Sequence, residues 1–326
     1  MEHDSVTETA DRGTVTIGID VGGTKIAAGV VDEAGILRDE ALRETPATSP
    51  PEIVAAIGEV VGELADRQEV SAIGIGAAGF VDAGRSIVLF APNLAWRHEQ
   101  LQEAVEDRTQ LPTVIENDAN AGAWGEFRFG AGRDVDDMIM LTVGTGLGGG
   151  LVIGGELVRG AFGVAGEVGH LRVVPGGHLC GCGNKGCWEQ YASGSALVRE
   201  ARALVRSGSP QASRLLELSE GSADALTGPM VMRAAQEGDV TSRELFEELG
   251  RWLGEGIASL AAVLDPACVV VGGGVSEAGE LLLEPARAAF ARNLTARGHR
   301  PLAEIRPAAL GTSAGMIGAA DLARRR

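Results

Sequence analysis

One histidine and three cysteines, His170, Cys180, Cys182 and Cys187, fall within eighteen residues of a 326-residue chain that holds only four cysteines. Thiolate and imidazole are preferred ligands of tetrahedral zinc, and four protein ligands close a site that holds structure rather than performing chemistry. That pattern constrains the fold strongly, because the four side chains must meet at one point. Gly181, Gly183 and Gly186, interleaved with the ligands, let so short a loop turn back on itself. Unconnected thiols, one disulfide and a solvated histidine are the plainer alternative. A run so dense in Gly and Cys within an otherwise ordinary composition argues for the metal instead. Glu167 and Glu189 flank the cluster. A full tetrahedron has no need of them, so the metal loop is free to point them at something else.

The fourth cysteine, Cys268, sits in the apolar run Cys268-Val269-Val270-Val271 and reads as core. Such sparing cysteine use fits a reducing compartment. The formal charge is −17, and the only basic run is Arg324-Arg325-Arg326, so no nucleic-acid partner is expected. The segment Met1 to Gly13 is polar and acidic without an apolar stretch, which predicts a disordered, inert tail and no secretory signal. Asp265-Pro266 breaks the longest apolar stretch of the C-terminal third, so no membrane span is expected. Together these place the chain in the cytoplasm. Its length and its 45% hydrophobic content suit two domains with real cores.

Thr14 to Val31 reads as a strand, a glycine turn and a return strand, and Met138 to Val152 repeats the pattern. Two such hairpins, each opening half of the chain, predict a duplicated α/β unit. Helical spacing predicts helices at Pro51 to Arg67, Glu99 to Thr109, Ser195 to Ser207 and Ser242 to Leu264. Strands are expected at Ala72 to Gly76, Thr113 to Glu116 and Ala267 to Val271. Strands alternating with helices argue for parallel-rich sheets covered by helices. No Pro/Gly/Ser-rich linker separates the halves, so they should abut and form a cleft.

The 48 glycines cluster at strand-to-loop junctions, which suggests backbone approaching a ligand in several places. Asp20-Val21-Gly22-Gly23-Thr24-Lys25 lacks the Walker A spacing but carries the ingredients of a phosphate site. Gly22 and Gly23 offer N–H groups, Thr24 a hydroxyl and Lys25 a cation. Asp20 is placed to hold Mg²⁺, through water. Taken alone, the loop is as readily a tight hairpin. Gly144 to Gly150 adds Thr145 and Gly146 to this set, and Gly272, Gly273 and Gly274 follow a buried strand, where the adenosine part of a nucleotide would fit.

Glu116-Asn117-Asp118 ends a strand and opens an Ala-rich helix. An Asn or Asp there serves as a helix cap, and that reading stands beside a functional one. In phosphoryl transfer a positioned Asp can accept the proton of the attacking hydroxyl. Asp118 is the candidate base and Asn117 a candidate ligand of a sugar hydroxyl.

These segments resemble the ROK family of sugar kinases and repressors, within the actin-like ATPase superfamily, and are most similar to its bacterial ATP-dependent glucokinase branch. The resemblance runs from Thr14 onward, and the metal loop is its most specific part. It implies a two-domain actin-like (ribonuclease H-like) α/β fold around a central cleft. The small domain would take residues 14–118 and 312–326, and the large one 119–311 with the zinc loop. It implies that glucose is phosphorylated at its 6-hydroxyl by Mg-ATP, with Asp118 as base. Asn117, Glu167, His170 and Glu189 look like sugar ligands, and Gly79 and Asn93 line the same pocket. His170, Cys180, Cys182 and Cys187 look like the ligands of a structural Zn²⁺. A homo-oligomer, dimer or tetramer, is expected. The repressor branch carries a DNA-binding domain ahead of this region, for which Val15 to Asp20 is expected to leave no room. Another hexose (fructose, mannose or N-acetylmannosamine), polyphosphate as donor, and a sugar sensor without turnover are the alternatives.

Overall fold

The computed structural model describes residues 15–325, and the tail expected at Met1 to Gly13 lies outside the described residues. Val15–Val21 (β1) and Lys25–Val31 (β2) form the first hairpin, with Leu37–Glu44 (β3) on its outer edge. The β3 sequence is dominated by charged residues (Arg38, Asp39, Glu40, Arg43 and Glu44) and buries only Ala41, a pattern that protects a sheet edge from pairing with another chain. Helix α1 (Pro50–Ala65) starts at a proline and buries Ile53, Ile57, Val60, Val61 and Leu64 along one face. Strand β4 (Val70–Ala77) follows. The short strands β5 (Phe80–Val81), β6 (Val88–Phe90) and β7 (Arg97–Glu99) then make a small antiparallel sheet of their own. Helix α2 (Leu101–Thr109) therefore begins after Glu99, which belongs to β7, because the small sheet claims that residue. Strand β8 (Thr113–Asn117) runs directly into helix α3 (Asp118–Phe129).

The second half opens with β9 (Met138–Val143), β10 (Leu147–Ile153) and β11 (Glu156–Leu157). Helices α4 (Gly194–Arg206), α5 (Ser213–Leu218), α6 (Gly228–Gln236) and α7 (Val240–Leu264) follow the metal loop. Asp239 caps α7 by accepting the Ser242 N–H, and the helix ends at Asp265 in a left-handed conformation. Strand β12 (Cys268–Gly272), helix α8 (Glu280–Asn293), strand β13 (Glu304–Pro307) and helix α9 (Ala314–Arg324) complete the chain.

The two large sheets share one topology. Their orders are β3-β2-β1-β4-β8 and β11-β10-β9-β12-β13. In each, three strands pair antiparallel and the remaining two join them in parallel, so the sheets are mixed rather than parallel-rich. The leading hairpins produce the antiparallel half, and the helical crossovers produce the parallel half. Each sheet has its own apolar core, one around Ile19, Ile57 and Ile75, the other around Leu141, Trp188 and Phe246. No helix among the described residues is long and apolar enough to cross a membrane.

Helix α9 returns to lie against the first sheet, touching it backbone to backbone. A Cβ on Gly18 would overlap the carbonyl oxygen of Met316, and one on Gly74 would overlap that of Ala319. Helix α9 meets α3 just as closely, since a Cβ on Gly318 would overlap the Ala121 carbonyl. Much of the glycine content thus serves helix packing rather than ligand approach. Trp124 on α3 donates to the buried Asp321 of α9, fixing the rotation between the two helices. Replacing Gly74 by Ala should lower unfolding stability by about 1–3 kcal/mol in urea denaturation, the usual cost of overpacking. Gly62→Ala, on a helix face with nothing within 4 Å, should be neutral or stabilising by about 0.5–1 kcal/mol. Equal effects of the two would refute the close approach.

Candidate active site

Strand β8 delivers Asn117 and Asp118 to the end of the first sheet, and helix α3 begins on them. Asn117 has extended backbone angles and accepts the Asn120 N–H at 3.0 Å, so it is the helix cap. Its amide nitrogen donates to the Gly79 carbonyl at 3.1 Å and to Asp118 Oδ1 at 3.0 Å. Ala119 N–H donates to the same Asp118 oxygen at 2.9 Å. Both bonds hold the carboxylate in place, and neither outweighs its surroundings. Burial raises the Asp118 pKa, the nearby Asp20 and Glu167 carboxylates raise it further, and it reaches about 7. Asp20, at the end of β1, is also raised by burial, and Lys25 opposes that shift. Glu167 is raised by burial and by Glu189, with His170 acting the other way.

The metal loop approaches this floor from the second half. The ligand atoms of His170, Cys180, Cys182 and Cys187 all lie within 4.8 Å of one another. Cys182 and Cys187 sulfurs are 3.6 Å apart, and His170 Nδ1 is 3.6 Å from Cys180 Sγ. Tetrahedral zinc, with sulfur at about 2.3 Å, would place its sulfurs about 3.8 Å apart. Three thiols and an imidazole at these separations fit such an ion. The other ring nitrogen of His170, Nε2, faces Glu167 Oε2 at 3.9 Å. One imidazole therefore faces the sulfur cluster on one side and Glu167 on the other. Trp188, fully buried beside Cys187, donates to the Trp252 carbonyl at 2.9 Å and pins the loop to α7.

Nine residues singled out from sequence line one cavity of about 340 Å³: Gly79, Asn93, Asn117, Asp118, Glu167, His170 and Glu189, joined by Gly146 and Gly273, which were expected beside the nucleotide. They come from seven separate segments. Phe80, Pro92 and Thr142 share the wall and gave no sequence signal, because nothing local marks them as ligand-facing. Glu189 Oε2 would lie 2.8 Å from a Cβ on Gly146, so that glycine leaves room for the carboxylate. A second cavity of about 900 Å³ is lined by Thr145, Gly274, Ser195, Arg202, Thr227 and Pro229, among others. Gly144 borders both cavities, and neighbouring Gly273 and Gly274 divide between them. The walls supplied by α4 and the start of α6 were not foreseen. The Ser193 cap before α4 and the Thr227-Gly228-Pro229 opening of α6 were their faint sequence marks.

The remaining glycine residues behave differently. Gly22, Gly23, Thr24 and Lys25 line neither cavity. Gly22 donates its N–H to the Lys25 carbonyl at 3.0 Å, closing the hairpin, while Thr24 and Lys25 are exposed. Gly272 also lines neither: it is buried in β12, where a Cβ would press on Ala308 and Met140.

The chain matches the model of the ROK family over residues 16–326. It is 51% identical to a glucokinase of Streptomyces coelicolor over 310 residues, covering 95% of this chain and 98% of that one. A ROK family glucokinase from Streptomyces griseus, crystallised in complex with glucose and AMPPNP, has the same fold. The two share a TM-score of 0.87 and 54% identity over 96% of this chain and 100% of that one. A ROK hexokinase from Thermus thermophilus gives a TM-score of 0.77 at 35% identity, over 96% and 98% of the respective chains. Matched along nearly its whole length, the chain belongs to the ROK family and has the actin-like α/β fold of that family's sugar kinases.

Proposed function

We propose that the chain transfers the γ-phosphoryl group of ATP to the 6-hydroxyl of glucose, releasing ADP and glucose 6-phosphate. The observation that carries the reading is Asp118, held near neutrality on the floor of a sugar-sized cavity that adjoins a larger one at Gly144. The glucokinase relatives, one of them crystallised with glucose and a nucleotide, support the same assignment.

Glucose occupies the smaller cavity and the nucleotide the larger, so the transferred group crosses between them beside Gly144 and Gly273. Transfer of this kind leaves the protein mainly positioning and electrostatic work. Asp118 accepts the 6-hydroxyl proton as the oxygen attacks phosphorus; a base with a pKa near the working pH balances readiness and strength. Glu167, His170, Glu189 and Asn93 hold the other hydroxyls, and a site built for them disfavours sugars lacking them. Asn117 already uses its amide hydrogens on Gly79 and Asp118, so a sugar hydroxyl must displace one of these to reach it. Thr145 and Gly274 offer donors to the phosphates from the larger cavity, and Gly146 does so from the wall of the smaller one.

Mg²⁺ accompanies the nucleotide and neutralises phosphate charge; Asp20, crowded by Asp118, is the carboxylate that would hold it. His170, Cys180, Cys182 and Cys187 would hold Zn²⁺, which when bound supplies loop order and no step of the reaction. His170 Nε2 and Glu167 then share the orientation that the loop sets. The small domain takes 14–118 with 312–326, and the large domain 119–311, a division supported by α9 packing on the first sheet. Closure of the two keeps water from the phosphoryl group. A cytoplasmic dimer or tetramer is part of the same reading.

Steady-state ADP release should be confined to glucose within a panel that includes fructose, mannose and N-acetylmannosamine. Saturable glucose binding without turnover would replace the kinase with a sensor. Asp118→Ala should lower kcat by about 10²–10⁴, and near-normal turnover would remove Asp118 from the role of base.

With the Asp118 carboxyl pushed up to about 7, kcat/KM should rise with pH and level off above about that value. A flat profile from pH 5.5 to 8 would refute this. Stability runs the opposite way. The unfolded chain releases this proton near pH 4 and the folded chain only near 7, so wild type loses up to about 1.4 kcal/mol per unit between. Asp118→Asn should lose less stability than wild type between pH 5 and 7 in denaturant titrations.

Stripping the metal with a chelator should raise KM for glucose several-fold and leave KM for ATP nearly unchanged, because no nucleotide-cavity residue belongs to the metal loop. An equal loss for both substrates would refute a loop-ordering role.

A further inference from the structure

Beside the base lies a buried charge network that the reaction as derived does not use. Glu116, immediately before Asn117, is only 2% exposed. Its Oε1 accepts the Asn117 N–H and the Asn120 amide, both at 3.1 Å. Its Oε2 accepts Arg159 Nε at 2.6 Å and faces Arg85 Nε at 3.6 Å. One carboxylate thus answers two guanidinium groups. The Nε and Nη2 of Arg85 are buried without a hydrogen-bond partner, so Arg159 is the arginine that Glu116 satisfies.

Three segments converge here. The first is the tip 82–86 between β5 and β6, tied to β8 by Ile115 N–H donating to the Arg85 carbonyl at 3.0 Å. The second is the β8–α3 junction that carries Asp118. The third is the stretch 159–166, which leads from β11 into Glu167. A Cβ on Gly163 would overlap the backbone of Val81, so this stretch lies directly on the β5–β6 connection. The buried, unpartnered Asn120 Oδ1 faces Gly166, 3.6 Å from where its Cβ would stand. A single ion pair therefore joins the segment bearing Asp118 to the segment bearing Glu167.

We propose that Arg159, acting through Glu116, is a positioning residue that holds the first turn of α3 so that Asp118 meets the sugar hydroxyl. The proposal rests on the kinase reading above. Arg159 fixes one oxygen of Glu116, and the other oxygen then receives Asn117 N–H and Asn120 from a set direction. Those two donors belong to the turn whose cap, Asn117, binds the Asp118 carboxylate. Without Arg159 the buried Glu116 turns toward the unpartnered Arg85 and withdraws its acceptor from the turn.

Arg159→Met, Glu116→Gln and the double variant test this. Arg159→Met should lower kcat at saturating glucose and ATP by up to about 10²-fold, since a small misplacement of a reacting group costs that much. KM for ATP should stay unchanged. Arg159→Lys should recover part of kcat. The double variant should be no slower than the slower single variant, because both changes break one interaction. Hydrogen–deuterium exchange at the Asn117 amide should quicken at least about tenfold in Arg159→Met, independently of turnover. Additive losses in kcat, or an Asn117 amide as protected as in wild type, would overturn the clamp. A wild-type protein that turns over no sugar would overturn the kinase reading instead, while the exchange measurement still decides the clamp.

Discussion

Asp20, Asp118 and Glu167 are three carboxylates that the fold brings close together, the first two partly buried and the third at the exposed rim. Repulsion between like charges is weak in bulk water and grows as the surroundings become less polarisable. Burial is the largest influence on each of the three, and their mutual repulsion adds to it for Asp118. The consequence is a carboxyl that holds its proton far above the usual range and can exchange it near neutral pH. Everything around the site bears the strain of that arrangement. Asn117 and Ala119 donate to Asp118, Lys25 tempers Asp20, and His170 tempers Glu167.

Holding three repelling groups in register requires rigid supports, and the molecule supplies two kinds. On one side α3 and α9 are pressed together and onto the first sheet through glycines, leaving backbone against backbone with little freedom to slide. On the other side the loop from His170 to Cys187 gathers one imidazole and three thiols at one point and is anchored by the buried Trp188. A metal held by those four side chains would add to the loop's order, because binding energy at such a site is also folding energy. The Arg159–Glu116 pair would tie the two supports together where they meet.

Legibility in the sequence followed distance along the chain. The metal cluster was readable because its four ligands lie within one short stretch, and their chemistry narrows the possibilities. The strand-to-helix passage at Glu116 to Asp118 was readable for the same reason, although the alternative roles of cap and functional group could not be separated there. In the structure Asn117 is the cap, which leaves the Asp118 carboxyl, raised to about 7, free of that duty. The glycine loops were less decisive. A glycine that admits a ligand and one that admits a neighbouring side chain look identical in sequence, and Gly272 is packed against Ala308 and Met140. The walls from α4 and α6 carried almost no local mark, because a helix surface becomes a cavity wall only when another element stands opposite.

By itself, then, the sequence determined the local chemistry: which residues can bind a metal, where strands turn into helices, and that one α/β unit occurs twice. The paired hairpins at Val15 to Val31 and Met138 to Ile153 carry that duplication in hydrophobic pattern and turn residues alone. Only the tertiary structure decided the properties that depend on what lies nearby in space. The proton affinity of Asp118 is the clearest of these, since it arises from burial, from Asp20 on another strand and from Glu167 far along the chain. Desolvation and Coulomb repulsion act across space and have no signature in neighbouring residues, so they come into being only when the chain folds.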